Sequence, residues 1–228
     1  MPSPIYPQPD KVLEHPHIRT FHARQGRMSA RREFALNELL PKFEISRSDS
    51  PLDLADDLEL STVIVDFGSG MGLHTLELAT GNPEVGVLAI DVHTVGLLAI
   101  VETATEQKLT NIRTHHGDGI DVFKDWLKPS SIDEVHILFP DPWPKARQHK
   151  RRLINPQFLK LVFALLKPDG RIIFATDSDE YFESATAVFA EFKELDVVFN
   201  DWDVPITTYH LRALSLNHNI SQLSARKI

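Results

Sequence analysis

The chain has 228 residues, of which 42% are hydrophobic and 25% are charged, as in an ordinary soluble globular protein. This composition excludes collagen-like, mucin-like and wholly disordered chains, and no stretch reaches the roughly 18 consecutive apolar residues of a membrane-spanning helix. The absence of cysteine excludes a disulfide framework and thiolate metal sites. The N-terminus lacks the basic and apolar regions of a signal peptide. We therefore expect a cytoplasmic protein with no membrane and no metal partner.

The net charge of −8 conceals two strongly basic windows. Residues 15–32 hold five arginines, residues 142–168 hold seven lysines and arginines, and neither window contains an acidic residue. These twelve cations leave a net charge of −20 for the rest of the chain. A solvated helix face would explain one such window. Because phosphate binding depends on local charge, the presence of two favours a surface that binds a polyanion.

The sequence divides into an N-terminal region, residues 1–61, and one larger domain, residues 62–228. Residues 1–18 are rich in proline and histidine, which is typical of a loose tail. A short basic helical arm is predicted near residues 28–40. Residues 46–61 contain five acidic residues, so we expect them to form a mobile, acidic linker.

From residue 62 onward, short apolar runs alternate with helical periods. The predicted strands are 62–67, 86–90, 112–115, 134–139 and 171–175, and the predicted helices lie near 72–80, 94–108, 120–127, 155–167 and 179–194. Strands rich in Val and Ile, separated by helices, indicate a mostly parallel sheet covered on both faces. Right-handed crossovers make this a doubly wound α/β fold of the Rossmann-like type. A further short strand is predicted after Val197, and residues 205–228 have no clear assignment.

The first predicted strand ends in a glycine-rich turn, Asp66-Phe67-Gly68-Ser69-Gly70-Met71-Gly72. A dinucleotide-binding turn needs a small residue three positions after the second glycine, and Leu73 at that position disfavours an NAD oxidoreductase. Asp91 ends the second strand, where an acid accepts hydrogen bonds from ribose hydroxyls. Asp118 follows the third strand, near the expected adenine edge, although it could instead cap a helix. Acids at three successive strand ends favour a nucleoside cofactor.

These features, together with Leu166-Lys167-Pro168-Asp169-Gly170 before the fifth strand, resemble the class I S-adenosylmethionine-dependent methyltransferases. The resemblance implies that S-adenosyl-L-methionine is the cofactor. In that family the glycine turn packs against the methionine part, the first acid contacts the amino acid end, the second holds the ribose and the third contacts adenine. The implied cofactor-binding residues are Asp66, Gly68, Gly70, Asp91 and Asp118.

A more specific resemblance rests on the segment after the fourth strand, Phe139-Pro140-Asp141-Pro142-Trp143-Pro144-Lys145, and its basic continuation to Arg152. Together with Arg24-Gln25-Gly26-Arg27, Asp91-Val92-His93, Thr176-Asp177 and Thr207-Thr208-Tyr209-His210, it is similar to the tRNA (guanine-N7-)-methyltransferases. This resemblance runs from about Arg19 to about Arg212. It implies transfer of a methyl group from S-adenosyl-L-methionine to N7 of a guanosine in tRNA.

By this resemblance, Asp141 is the catalytic residue and also contacts the cofactor. The implied substrate-binding residues are Lys145, Asp177, Thr207, Thr208, Tyr209 and His210. The family has glutamate where this chain has His210, and a neutral histidine offers only one acceptor nitrogen to the N1–H and N2–H groups of guanine. The implied partner is tRNA, and we expect the Arg19–Arg32 arm and the Lys145–Arg152 cluster to bind its phosphates. Both a monomer and a homodimer are compatible with the sequence.

Guanine N7 carries a lone pair in the ring plane, so its methylation needs no general base. The site must align N7, the methyl carbon and sulfur, and Asp141 and Asp177 are the candidates for favouring the positive charge that moves to the base. Two other functions remain open. A methyltransferase for a small molecule or protein side chain would leave the basic windows without a role, and a non-catalytic RNA-binding protein on this scaffold would account for the missing glutamate.

Overall fold

The structure, a computed structural model, describes residues 18, 20, 21 and 29–228. In this part of the chain one sheet is built from β1 (Thr62–Phe67), β2 (Val85–Asp91), β3 (Ile112–His116), β4 (Ile132–Leu138), β5 (Leu166–Thr176), β6 (Leu195–Phe199) and β7 (Ser221–Lys227). The strand order is β3-β2-β1-β4-β5-β7-β6. Strands β1 to β5 pair in parallel, whereas β7 is antiparallel to both β5 and β6. The doubly wound, mostly parallel sheet is therefore confirmed.

Helices separate the parallel strands, as the sequence predicted. They are α1 (Ala30–Phe34), α2 (Leu54–Leu58), α3 (Leu73–Gly81), α4 (Thr94–Gln107), α5 (Gly119–Asp125), α6 (Pro156–Leu165), α7 (Asp179–Ala190) and α8 (Thr208–Ser215). Several of them begin at a polar side chain that accepts a hydrogen bond from the first turn, including Asp118, Asn155, Ser178 and Thr207. None of the described helices combines the length and hydropathy needed to cross a lipid bilayer.

The order of the strands fixes where a ligand can bind. The chain leaves β1 toward β2 and β3 on one side and later returns to place β4 on the other side of β1. At such a reversal the loops after the two central strands diverge, and the carboxyl ends of the strands border a crevice. The glycine turn after β1 and the Asp141 loop after β4 lie on either side of this crevice.

The N-terminal arm differs from the single helix predicted near residues 28–40. Helix α1 continues into a π-helical turn, Ala35–Leu39, and a 3₁₀ turn, Leu40–Lys42. Ala35, Leu39 and Leu40 are buried in the same apolar cluster as helix α4, so the arm packs onto the domain rather than extending from it. Packing of these apolar residues overrides the regular helical period.

The acidic segment before β1 also differs from the expected mobile linker. It contains helix α2, whose first turn is capped by Asp53 and whose Leu54 is fully buried. The backbone of Leu52 exchanges hydrogen bonds with Trp126 and Lys128, and the Lys128 ammonium lies 2.8 Å from a carboxylate oxygen of Asp53. Asp53, one of the acids that suggested mobility, therefore caps a helix and pairs with a lysine, while Leu52 and Leu54 anchor the segment.

Candidate active site

The loops at the carboxyl ends of β1 to β4 surround two adjoining cavities. The larger one, called here the main cleft, encloses about 750 Å³ including space open to solvent at its mouth, and its lining includes Gly68, Asp91, Asp118, Asp141 and Tyr209. The smaller one, called here the inner pocket, encloses about 320 Å³ including space open to solvent, and its lining includes Asp66, Ser69, His74, Thr207 and Tyr209. The structure thus brings together every acid predicted to contact the cofactor.

The glycine turn is held open by its backbone conformation. Gly68 and Gly70 have φ angles of 83° and 56°, in the left-handed region that favours glycine. The N–H groups of Gly68 and Ser69 donate to the carbonyl oxygen of Ile90, at 2.8 and 3.1 Å. A β-carbon on Gly68 would meet no described atom within 4 Å, so this part of the turn faces open space. The turn therefore lets a ligand approach the backbone closely.

Asp91 ties the second strand to the glycine turn. One carboxylate oxygen accepts the backbone N–H of Gly70 and the other accepts that of His93, each at 2.7 Å. Burial raises the pKa of Asp91 although both hydrogen bonds oppose the shift. Each oxygen retains a lone pair. Since Asp91 also lines the main cleft, it can accept hydrogen bonds from a diol while it fixes the turn.

The other two acids occupy opposite ends of the site. Asp66 is almost fully buried beside the inner pocket, and its carboxylate accepts the hydroxyl of Thr75 at 2.6 Å. Asp118 lines the main cleft and also caps helix α5 by accepting the N–H of Ile120 at 3.0 Å. The capping alternative for Asp118 is therefore correct, and it is compatible with a second role at the cleft.

The Asp141 loop has a constrained backbone. Phe139 and Trp143, on either side of it, both adopt positive φ angles, 53° and 45°, which are uncommon for large side chains. The guanidinium of Arg152 donates to the carbonyl of Pro142 at 3.0 Å. Such local strain is found at binding sites where the surroundings hold the chain in place. Here it directs an exposed carboxylate, Asp141, toward the main cleft.

A segment near the N-terminus, which the sequence analysis did not assign to the site, also lines the main cleft. Thr20 and Phe21 contribute to the lining, and the carbonyl oxygen of Thr20 accepts the indole N–H of Trp143 at 2.8 Å. These residues lie within the first basic window. Its residues Arg19, Arg24 and Arg27 and the Arg24–Arg27 motif lie outside the described residues, and Arg31 is 3.0 Å from Glu102 of helix α4.

The second basic window divides into groups with different surroundings. Directly after the Asp141 loop, three cations are exposed: Lys145 immediately before the 3₁₀ turn Ala146–Arg151, and Arg147 and Lys150 within it. Arg152 is 5% exposed and lies 3.3 Å from Glu180, so it is a structural residue and unavailable to phosphate. Lys160 and Lys167 belong to α6 and the start of β5, outside this turn, and Lys167 is 2.7 Å from Asp133.

The residues predicted to bind substrate occupy different places. Thr207 caps helix α8 by accepting the N–H of His210, and Thr207, Thr208 and Tyr209 line the inner pocket. Tyr209 lies over the glycine turn, since a β-carbon on Gly70 would be 3.7 Å from its ring. The structure thus places the start of α8 beside the glycine turn, at the side of the site predicted to hold the methionine part of the cofactor.

His210, Asp177 and Lys145 do not line either of the two cavities in the described part of the chain. Nδ1 of His210 is 3.0 Å from the carbonyl oxygen of Pro205. A carboxylate oxygen of Asp177 lies 3.1 Å from Nδ1 of His218, which the sequence analysis did not single out. His218 lies eight residues beyond His210 and near no recognised motif, so the sequence did not indicate that it would pair with Asp177.

Three further residues at the site were missed. Ser69 Oγ and His74 Nδ1 are buried beside the inner pocket and find no hydrogen-bond partner among the described residues. Gly96 packs against the glycine turn from helix α4. A nucleoside with an amino acid tail fits this arrangement, since Asp91 and Asp118 line the open cleft while the inner pocket offers a carboxylate and polar atoms that need partners. Within the described residues, no cluster of three His, Cys, Asp or Glu side chains suits a metal ion.

Comparison with known proteins agrees with this geometry. Residues 61–223 match the family model described as "Putative methyltransferase". A tRNA (guanine-N(7)-)-methyltransferase of Nitrosospira multiformis is 39% identical over 225 residues, which cover 95% of this chain and 98% of the relative. An enzyme of the same name from Neisseria meningitidis is 35% identical over 226 residues, 96% of this chain and 95% of the relative.

Solved structures show the same fold at low sequence identity. The 16S rRNA methyltransferase KamB has a TM-score of 0.55 at 18% identity and covers 80% of this chain and 95% of its own. The aminoglycoside resistance methyltransferase NpmB1 has a TM-score of 0.57 at 18% identity, over 80% of this chain and 98% of its own. The fold is therefore that of the class I methyltransferases, and the long, close match to the curated relatives shows that the chain belongs to the tRNA (guanine-N(7)-)-methyltransferase family.

Proposed function

We propose that this protein transfers a methyl group from S-adenosyl-L-methionine to N7 of a guanosine in tRNA, in the cytoplasm, and that residues 62–228 form the catalytic domain. The observation that carries the proposal is the placement of Asp141. It lies on the main cleft opposite the glycine turn and Asp91, and the exposed cations of residues 145–150 follow it directly in the chain. A cofactor cleft and a polyanion surface therefore meet at one carboxylate.

The chain's own residues supply the cofactor contacts. Asp91 accepts the ribose hydroxyls while it holds the glycine turn, and Asp118 faces adenine from the start of α5. Asp66, beside the inner pocket, faces the amino acid end, and Tyr209 covers the turn from above. S-adenosyl-L-methionine supplies a sulfonium methyl group: guanine N7 bonds to the methyl carbon as the carbon–sulfur bond breaks, the electron pair stays on sulfur, and the positive charge moves to guanine.

Asp141 is the residue proposed to act at the reacting atoms. N7 uses a lone pair in the ring plane, so Asp141 has no proton to remove. Its carboxylate orients the base and stabilises the positive charge that develops on it, which is an electrostatic task for a group fixed before the reaction. Pro140, Pro142 and the hydrogen bond from Arg152 to the Pro142 carbonyl constrain the backbone around Asp141, which suits this role because little reorganisation is needed.

The proposed tRNA surface begins at the exposed turn after Asp141. Lys145, Arg147 and Lys150 present their charges outward, whereas Arg152 holds the loop in place. The base must reach the cleft from a loop or by flipping out of its stack, because N7 is inaccessible in the deep, narrow major groove of an RNA helix. Phosphate contacts outside the cleft would position the tRNA without reading the base.

His210 can supply one of the hydrogen-bond acceptors that the family's glutamate supplies at this position. A carbonyl oxygen only accepts hydrogen bonds, so a neutral His210 must carry its proton on Nδ1 to bond Pro205. Nε2 is then an acceptor. The centre of the His210 ring lies 6.0 Å from the centre of the Phe139 ring, beside the Asp141 loop. We infer that His210 offers one acceptor at the edge of the guanine site, where a glutamate offers more.

The test is transfer of labelled methyl from S-adenosyl-L-methionine to unmodified tRNA, followed by nucleoside analysis. Label in 7-methylguanosine is the expected result. Label in another nucleoside or in a small molecule would assign a different substrate. Binding of both cofactor and tRNA without transfer would point to an altered specificity or a lost activity, whereas tRNA binding without cofactor binding would support the non-catalytic RNA-binding alternative.

A further inference from the structure

A chain of hydrogen-bonded polar groups runs from the surface to the inner pocket. The exposed guanidinium of Arg171 pairs with Glu134, and the other carboxylate oxygen of Glu134 lies 2.9 Å from Nε2 of His136. Nδ1 of His136 lies 2.7 Å from Nε2 of His74, in the first turn of α3. The two imidazoles are nearly coplanar, at 17°, and both are more than nine-tenths buried. None of these four residues was assigned a role above.

The hydrogen bonds determine where the protons sit in the neutral pair. Burial alone would raise the pKa of Glu134, but hydrogen bonds from His136 and Arg171 hold it at about 2, so Glu134 is a carboxylate and only accepts. His136 must therefore donate from Nε2, which leaves its Nδ1 as an acceptor when the ring is neutral. His74 then donates from Nε2, and the lone pair of His74 is on Nδ1.

The Nδ1 lone pair of His74 belongs to a residue that lines the inner pocket. His74 Nδ1 is buried and has no hydrogen-bond partner among the described residues, and His74 lines the inner pocket with Asp66. Burial lowers the pKa of His74 to about 4, against the opposing influence of Asp66, so the ring is neutral near pH 7. An unpaired buried acceptor is costly, which is the reason to expect a ligand group that satisfies it.

We propose that His74 is a cofactor-binding residue whose Nδ1, together with Asp66, accepts hydrogen bonds from the α-ammonium group of the methyl donor. An ammonium has three N–H donors that point in different directions, and the two oxygens of Asp66 can meet at most two of them, so a further acceptor is needed. The Glu134–His136 pair is a positioning device that fixes the ring and its tautomer. The proposal rests on the proposed function, because it names a contact within the same cofactor site.

The experiment compares two ligands in two variants of the full chain by isothermal titration calorimetry. S-adenosylhomocysteine carries the ammonium, whereas 5′-methylthioadenosine keeps the adenosine and the sulfur but lacks the amino acid end. His74→Gln keeps a polar group in reach of His136 but removes the acceptor at the Nδ1 position. His74→Asn does the opposite, since its amide oxygen occupies the Nδ1 position and the link to His136 is broken.

His74→Gln should weaken S-adenosylhomocysteine binding roughly tenfold or more, as expected for removal of a hydrogen bond to a charged group, and leave 5′-methylthioadenosine binding within about threefold. His74→Asn should retain most of the S-adenosylhomocysteine affinity. Equal losses of affinity for both ligands in His74→Gln would overturn the proposal, because the effect would not depend on the ammonium. A larger loss of affinity in His74→Asn than in His74→Gln would also overturn it, because the link to His136 would then matter more than the acceptor at Nδ1.

A measurement on the wild-type chain keeps the test independent of how the variants fold. In protein with ¹⁵N-labelled histidine, Nδ1 of His74 should be unprotonated and its signal should move on addition of S-adenosylhomocysteine but not of 5′-methylthioadenosine. A protonated Nδ1, or identical responses to both ligands, would contradict the proposal. If the wild-type chain bound both ligands with equal affinity, the proposed ammonium contact would be refuted but the proposed methyltransferase function would not. If the chain bound neither ligand, the proposed function itself would be refuted.

Discussion

The α-carbon of Gly96 faces the carbonyl oxygen of Gly70 so closely that a β-carbon at position 96 would lie 1.6 Å from that oxygen. Helix α4 therefore approaches the glycine turn backbone to backbone, and only glycine permits the contact. On its other side the turn is fixed by Asp91, which accepts the N–H of Gly70. Gly70 is thus held between the helix and the acid proposed to bind ribose.

Replacing Gly96 by alanine should displace the glycine turn, because the obstructing atom is backbone and cannot move aside alone. We expect Gly96→Ala to lose on the order of 1–3 kcal/mol of stability and to weaken S-adenosylhomocysteine binding at least tenfold. Gly81→Ala is the matched control, since a β-carbon there meets no described atom within 4 Å. Calorimetry and denaturant unfolding measure both effects, and equal behaviour of the two variants would argue against a positioning role for Gly96.

Removal of the Asp141 carboxylate should greatly slow methyl transfer without unfolding the protein. Asp141 is exposed, so Asp141→Ala is expected to reduce methyl transfer by two orders of magnitude or more while the unfolding free energy changes little. Asp49→Ala, which removes an exposed loop carboxylate outside both cavities, is the control. Near-wild-type turnover of Asp141→Ala would remove Asp141 from its catalytic role.

The exposed cations after Asp141 should account for salt-dependent tRNA binding. Neutralising Arg147 and Lys150 together is expected to weaken binding and to reduce the slope of log affinity against log salt by roughly 0.7–0.9 for each phosphate that the variant no longer neutralises. Lys160→Gln removes one positive charge on helix α6 instead, and should leave the slope unchanged. An unchanged slope in the double variant, measured by filter binding from low to physiological salt, would place the phosphate-binding residues elsewhere.

Buried His74 should make the protein less stable in mild acid. Its pKa is lowered by burial to about 4 in the folded chain, against 6.5 for the ordinary side chain, so between these values the unfolded chain binds a proton that the folded chain does not. Stability is therefore fully present above about pH 6.5 and falls as the pH drops toward 4.

The expected contribution of His74 is a loss of about 2 kcal/mol between pH 7 and pH 5, which follows from the two pKa values. Burial also lowers the pKa of His116, so the measurement is the difference between the wild type and His74→Gln in urea unfolding at the two pH values. The variant should lose less stability than the wild type over this interval. Parallel losses would show that His74 is not held neutral in the folded chain.

Much of the architecture follows from local sequence patterns. The alternation of Val- and Ile-rich runs with helical periods predicted β1 to β5 and the helices between them to within a few residues, apart from an earlier start of β5. The glycine turn and the acids at 66, 91 and 118 were predicted to share a site because parallel strands end at one edge, and they line its two cavities.

Other features depend on interactions between distant parts of the chain. Strand β7 is inserted between β5 and β6 through antiparallel pairing, and the sequence 221–227 has too few apolar residues to predict this alone. The basic window at 142–168 looked uniform, yet burial makes Arg152 a structural residue while Arg147 remains exposed. Charge is visible in the sequence, but solvent exposure is decided by packing.

The sequence by itself determined the fold class, the acids of the candidate cofactor site and the resemblance that named the reaction, because these depend on periodicity and on motifs of adjacent residues. Only the tertiary structure brought His74 to His136, Gly96 to Gly70 and Thr20 to Trp143. These pairs are separated by 26 to 123 positions, and no local pattern marks them. They meet because strand order and helix packing bring distant backbone segments together, and that arrangement decides which polar atoms are left to meet a ligand.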